Sequence, residues 1–257
     1  MKNYDLTIYT KNDFKYLFKQ VGVSKGMVVY LQANLSHLGT IVGGVQAMIE
    51  ALQELIGEEG CIIMPSFSMS TLDPSCQAQI PYAFESWDVV RKHMLGFQKD
   101  TTPCDMNSRT ANQLLRNEGV VRSQHPVYSF AFWGKYEEDW VQQKLDYPYD
   151  FESVLKPFAN QKACNVLVGV PFEQSVLLQG LAHKVGWEIT RIERAYEKKG
   201  KRNVVKTFLV SDIQSEKISN LKSVCHIQSR ECMSEWIHSL SLMSSLDSSI
   251  EMLESIS

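Results

Sequence analysis

The chain has 257 residues, 44% hydrophobic and 21% charged, with a formal charge of -3. This is enough for one sizeable α/β domain, and the weak negative charge predicts no nucleic-acid partner and no anionic membrane surface. No apolar run approaches the roughly 18 residues of a spanning helix, and the opening MKNYDLTIYTKNDF has no signal-peptide core, so a cytoplasmic protein is expected.

Lys11 to Val21 reads as a short amphipathic helix with Phe14, Leu17 and Phe18 on one face. Met27–Leu31 is a β-branched apolar run, the pattern of a buried strand. The loop from Asn34 to Gly44 then opens a strong helix through Ile56, with Gly57 as its stop. Cys61–Met64 is a second buried strand closed by Pro65. Strand, loop, helix and strand in that order predict a βαβ unit with a parallel pair.

From Ser66 to Asp105 regular signals are sparse, with one helix expected near Trp87–Met94. Tyr128–Trp133 and Val166–Val170 read as further strands, with a helix between Tyr136 and Lys144. Val185–Ile192 and Asn203–Val210 flank Glu197–Arg202, which is either a solvated hairpin tip or a basic phosphate site. From Ser234, Trp236, Leu240, Met243, Leu246, Ile250 and Leu253 recur at helical spacing. This amphipathic helix, about 234–254, docks on its own domain or at a subunit interface, in a monomer or a homodimer. One domain across 1–257 is the simplest organisation.

Few residues stand out chemically. Val42-Gly43-Gly44 places backbone N–H groups at a helix start, where anions are attracted. A purely structural turn is the alternative, since neither the P-loop nor the dinucleotide fingerprint is present. His125, in Arg122-Ser-Gln-His-Pro126, is either a structural imidazole or a proton exchanger. His183 lies near Gln179 and Glu188, with no local motif to make it a base. Six cysteines show no metal spacing and read as reduced thiols, and no metal is expected. Cys104, in a polar loop, reads either as a reactive thiol or as an exposed thiol of ordinary reactivity.

Several of these segments, in this order, resemble the aminoglycoside 3-N-acetyltransferase family. The residues that carry the likeness are Asn34-Leu-Ser36-His-Leu-Gly39, Val42-Gly43-Gly44, Met64-Pro-Ser66, Thr102-Pro103 and Arg122-Ser123-x-His125-Pro126-x-x-Ser129-Phe130. The resemblance implies a three-layer α/β/α domain around a mixed, partly parallel sheet. It implies acetyl-CoA, or another acyl-CoA, near Ser36, Val42, Gly43, Gly44, Ser123 and His125. It also implies a small-molecule amine as acceptor. Where the family carries its reactive Thr-x-x-His-x-x-Glu helix, this chain has Val176, Gln179 and Ala182. Glutamine cannot accept a proton at any relevant pH, so Gln179 sits at the base position without being a base. Gln32 replaces a family histidine, and Asn112 stands near an expected glutamate. The expectation is an acyltransferase with altered or lost standard catalysis, His125 or an already deprotonated amine standing in for the base. The alternative is a non-catalytic paralogue that binds a ligand or a partner protein.

Overall fold

A computed structural model describes residues 8–36, 38–76, 82–105, 108–150, 163–184 and 189–212, with the side chains of 181–184 and 212 left out. The helix expected over 234–254 lies outside the described residues, as does the strand start expected over 185–188.

The core is a five-stranded sheet built on β2 (Val28–Ala33), all six residues of which are buried. β2 lies between β4 (Cys61–Pro65) and β7 (Ala163–Val168), parallel to both, with Val28 opposite Cys61 on one side and Ala163 on the other. β6 (Phe130–Gly134) runs antiparallel to β4, and β5 (Val121–Arg122) antiparallel to β6, giving the order β5-β6-β4-β2-β7. The sheet is mixed, as expected. Because side chains alternate along a strand, β2 feeds two cores: Val28 and Tyr30 face one layer, Val29, Leu31 and Ala33 the other.

The second of these faces is covered by α1 (Lys11–Gln20) and α2 (Gly44–Ile56). α1 starts on a reciprocal cap: the Asp13 N–H donates to the Thr10 hydroxyl, and the Asp13 carboxylate accepts from the Thr10 N–H at 2.8 Å. Its Phe14 and Phe18 pack against the stripe Met48, Ile49, Leu52 and Ile56 of α2. A short parallel pair, β1 (Ile8–Tyr9) with β3 (Thr40–Ile41), pins the approach to α2; two residues each leave no periodic signal to read.

The other face packs an aromatic group, with Phe67 edge-on to Tyr128 and Phe130 at centroid distances of 5.1 and 5.5 Å. Over it lie the helix Val176–Lys184, here α6, and a long hairpin of β8 (Ile189–Lys199) and β9 (Arg202–Asp212). The hairpin is as expected, but its tip is only the two residues between Lys199 and Arg202. Phe97 docks on it through backbone bonds to Tyr196 and Lys198. α3 (Trp87–His93) forms as expected, and α4 (Ala111–Leu114) is one turn.

Two element predictions are corrected. The helix expected over Tyr136–Lys144 is only α5 (Glu138–Val141), because Gln143 turns inward and donates to the carbonyls of Tyr128 and Pro148. The strand expected from Tyr128 begins at Phe130, because the N–H groups of Val127 and Tyr128 are taken by His125. Among the described residues no helix is long and apolar enough to cross a membrane.

Candidate functional site

β2, β4 and β7 end on the same side of the sheet; the loop leaving β2 carries Ser36, Val42, Gly43 and Gly44, the loop leaving β7 leads to the helix of Gln179, and Ser123 and His125 lie between β5 and β6. Ligands of open α/β sheets gather outside such carboxyl ends. The β2 loop turns at Asn34, whose carbonyl amide accepts from the Ser36 hydroxyl at 2.5 Å and from the Ser36 N–H at 3.2 Å. Asn34 donates its own N–H to Val168 at the end of β7. A Cβ on Gly169 would lie 2.2 Å from the Asn34 carbonyl oxygen, so only glycine allows the two loops to approach this closely.

The loop then reaches α2 through Val42, which is 57% exposed, and two glycines with φ of 84° and 60°. Gly43 is the N-cap of α2, and among the described residues no side chain caps its first N–H groups. They therefore face outward with the positive end of the helix dipole. A Cβ at Gly44 would meet nothing within 4 Å, so the space over this turn is open.

The β7 loop leads to α6. Gln32, near the end of β2 and 3% exposed, reaches across to its start. Its amide nitrogen donates to the Gln174 carbonyl at 3.0 Å and its oxygen accepts the Val176 N–H at 2.8 Å. Ser175 caps the helix, its hydroxyl accepting from Leu178 N–H and from Asn165 of β7. Val176 is buried in the core; Gln179 is half-buried and makes no side-chain hydrogen bond among the described residues. Ala182 shares the helix, three residues further on. Neither Val176 nor Gln179 can take a proton.

The Arg-Ser-x-His-Pro turn is a buried brace. Arg122 donates to the hydroxyls of Ser129 and Ser68 and to the carbonyls of Ser66, Lys99 and Thr102, with its guanidinium 4.9 Å from the Phe97 ring centroid. Burial lowers its pKa, yet among the described residues no carboxylate is hydrogen-bonded to it. Five oxygens replace its hydration, which is how a buried cation remains tolerable. Ser123 is buried too, donating to Gln143 and accepting the Phe130 N–H.

His125 is 3% exposed, and both ring nitrogens are engaged. Nδ1 accepts two backbone N–H groups, from Val127 at 3.1 Å and Tyr128 at 2.9 Å. Nδ1 must therefore be unprotonated, so Nε2 carries the proton and donates it to the Leu145 carbonyl at 3.1 Å. Burial pushes its pKa down to about 3. This imidazole is neutral and has no free lone pair, a geometry that disfavours the base role expected for it.

Cys104 is a correction. It is buried rather than exposed, and burial pushes its thiol up to about 11, so it is not an ordinary surface thiol. Asn112, at the place of the expected glutamate, binds the backbone on both sides of Cys104, at 2.8 and 2.7 Å. Among the described residues no group of three or more acidic, histidine or cysteine side chains could hold a metal. Gln32 and Ser175 are the residues that sequence reasoning passed over as positioning groups. Ser175, a serine directly before an apolar helix, is a readable cap signal; the Gln32 bridge spans 142 residues and leaves none.

Comparisons with known proteins identify the family and the fold. The chain belongs to the aminoglycoside 3-N-acetyltransferase family, whose model matches residues 31–236. It is 31% identical over 181 residues to the SPbeta prophage-derived aminoglycoside N(3')-acetyltransferase-like protein YokD of Bacillus subtilis (strain 168), covering 70% of this chain and 66% of that protein. The crystal structure of YokD superposes with a TM-score of 0.83 at 24% identity, over 97% of this chain and 93% of that one. AAC-IIIb, solved as a binary complex with CoASH, superposes with a TM-score of 0.77 at 16% identity, over 97% and 98%. These likenesses establish the mixed α/β fold.

Proposed function

We propose that the protein is a CoA-dependent acyltransferase that acts on an amine without the family's general base. The observation that carries this reading is the contrast at the carboxyl end of the sheet. The anion-friendly turn Val42-Gly43-Gly44 is intact and open, while the helix held in place by Gln32 carries a buried Val176 and a half-buried Gln179, neither of which can take a proton. Ser36 and the N–H groups at the start of α2 would hold the phosphates and pantetheine arm of an acyl-CoA; a structural neighbour was solved as a binary complex with CoASH. Ser123 and His125 would act by fixing the turn that walls the site, since both are buried and bonded within it.

Gln179 can orient a carbonyl or an amine but cannot deprotonate one. General-base assistance is worth about 10²–10⁴-fold in rate, so aminoglycosides, whose amines are protonated at neutral pH, should be acetylated very slowly. Val176, Gln179 and Ala182 also favour a second reading, a paralogue that binds its ligand without turnover. Thiol release from acetyl-CoA with a panel of 2-deoxystreptamine aminoglycosides separates the readings, run on the parent and on the combined variant Val176→Thr, Gln179→His, Ala182→Glu. These positions step about 60° apart along α6, so the triple variant restores a hydroxyl, a base and a carboxylate to one helix. Little parent turnover with a measurable gain in the variant is expected. Parent turnover of order 1–10 s⁻¹ would contradict the missing-base argument; a folded, CoA-binding variant with no gain would favour the binding paralogue.

A further inference from the structure

A cleft of about 650 Å³ opens beside the β4 loop, within the size range of small-molecule sites. Its walls include Thr71, Val89, Val90, Met94, Thr102 and Pro103. Thr71 also donates its hydroxyl to the Pro126 carbonyl at 2.7 Å, so the cleft adjoins the Arg-Ser-x-His-Pro turn at the carboxyl end of the sheet. Among the described residues its lining holds no aspartate, glutamate, lysine or arginine, and the titratable side chains on it are His93 and Tyr82.

Asp88 and Asp100 flank lining residues in sequence but are exposed and outside the lining, and two further carboxylates beside the walls are occupied. Asp73 accepts two bonds from Arg91, both 3.0 Å, and one from Tyr196 at 2.9 Å. Asp105 accepts the N–H groups of Met69 and Ser70 at 2.8 Å each. The Arg122 guanidinium binds the Thr102 carbonyl directly behind the lining. A polycation needs several unspent carboxylates to replace its hydration, and this cleft offers it an apolar wall backed by a positive charge.

The missing base points the same way. An alkylamine with a pKa near that of lysine, about 10.4, has only roughly one molecule in 10³ deprotonated at pH 7. It depends on a base to become a nucleophile. An aromatic amine, whose lone pair is delocalised into the ring, is uncharged at neutral pH and depends on none.

We propose that the acceptor is a weakly basic aromatic amine whose apolar body lies in this cleft. The inference rests on the acyl-transfer reading above. The nitrogen lone pair attacks the thioester carbonyl, the C–S bond breaks and CoA leaves as its thiolate. The proton shed by the nitrogen passes through solvent to that thiolate, so arylamine and acetyl-CoA give an N-aryl acetamide and CoASH.

The test compares 4-chloroaniline with benzylamine, under saturating acetyl-CoA, in the parent and in Val89→Glu. Val89 is 63% exposed, so a charge is tolerated there by the fold but faces the ligand. Three results are expected. At pH 7 chloroaniline should turn over at least about tenfold faster than benzylamine. Between pH 7 and 9 the benzylamine rate should rise about tenfold per unit while the chloroaniline rate stays flat. Val89→Glu should raise KM for chloroaniline about tenfold without changing CoA affinity. Equal or faster benzylamine turnover at pH 7, no chloroaniline turnover by a protein that binds CoA, or an unchanged KM in Val89→Glu would each overturn the inference alone. A protein that does not bind CoA would instead sink the acyl-transfer reading and this inference with it.

Discussion

Gln32→Leu removes the bridge between β2 and the start of α6 while nearly keeping side-chain volume. Gln32 makes two bonds there: its nitrogen to the Gln174 carbonyl and its oxygen to the Val176 N–H. Their losses are unequal. Gln174 is exposed, so its carbonyl regains water at little cost. Val176 is buried, and its N–H is one of the helix-start groups with no intrahelical partner. Leaving a buried donor unpaired costs about 1–3 kcal/mol. Leucine brings back part of this through apolar burial, so a net loss of about 1–2 kcal/mol is expected. For a chain of this size that lowers Tm by roughly 2–8 °C. Thermal unfolding followed by circular dichroism reads it directly. Hydrogen exchange at Val176 should rise more than exchange in β2, since the local clamp is what is lost. A Gln32→Leu variant as stable as the parent, with Val176 still protected, would refute the view that this amide holds the helix.

Three further outcomes are expected. Arg122→Lys keeps the charge but cannot supply five directed donors, so it should cost about 3 kcal/mol or more, measured by urea unfolding. His125 should show no NMR titration between pH 5 and 8. Its folded pKa is depressed to about 3 against 6.5 unfolded, so its contribution is complete above about pH 6.5 and declines as pH falls toward 3, with a limiting slope of about 1.4 kcal/mol per pH unit; an observed titration above pH 5 would contradict its burial. Of the four described thiols, Cys61, Cys104 and Cys164 are buried, and burial raises all three, Cys104 to about 11 and Cys61 to about 12. A thiol reagent at pH 7.5 should modify Cys76 in the native protein and these three only after unfolding, as peptide mapping would show.

The parts of the fold with strong periodicity were readable from sequence. The apolar runs at Val28 and Cys61 and the stripe of α2 define the parallel βαβ unit that the structure contains. What could not be read depends on distant partners. Gln143 looks like one more polar residue on an amphipathic helix, but Tyr128 and Pro148 draw it inward and end that helix after one turn. The polar loop around Cys104 reads as exposed, yet Asn112 and the Asp105 bonds fold it against the core. For the site, local chemistry showed the glycine turn before α2, and the family resemblance pointed to Val176, Gln179 and Ala182 in place of the family's reactive residues on α6. The state of His125 was hidden, because its three backbone partners belong to the turn and to Leu145, twenty residues on.

The claim on which the account depends most is that the turn before α2 still holds an acyl-CoA. Isothermal calorimetry of CoA binding, in the parent and in Val42→Glu, tests it most directly. Val42 is exposed and precedes the left-handed glycines, so the substitution adds a negative charge beside the outward N–H groups without straining φ at Gly43 or Gly44. The account predicts saturable heat with the parent and an affinity weakened about tenfold or more in Val42→Glu. No heat with the parent, or equal affinity in the two proteins, would contradict it.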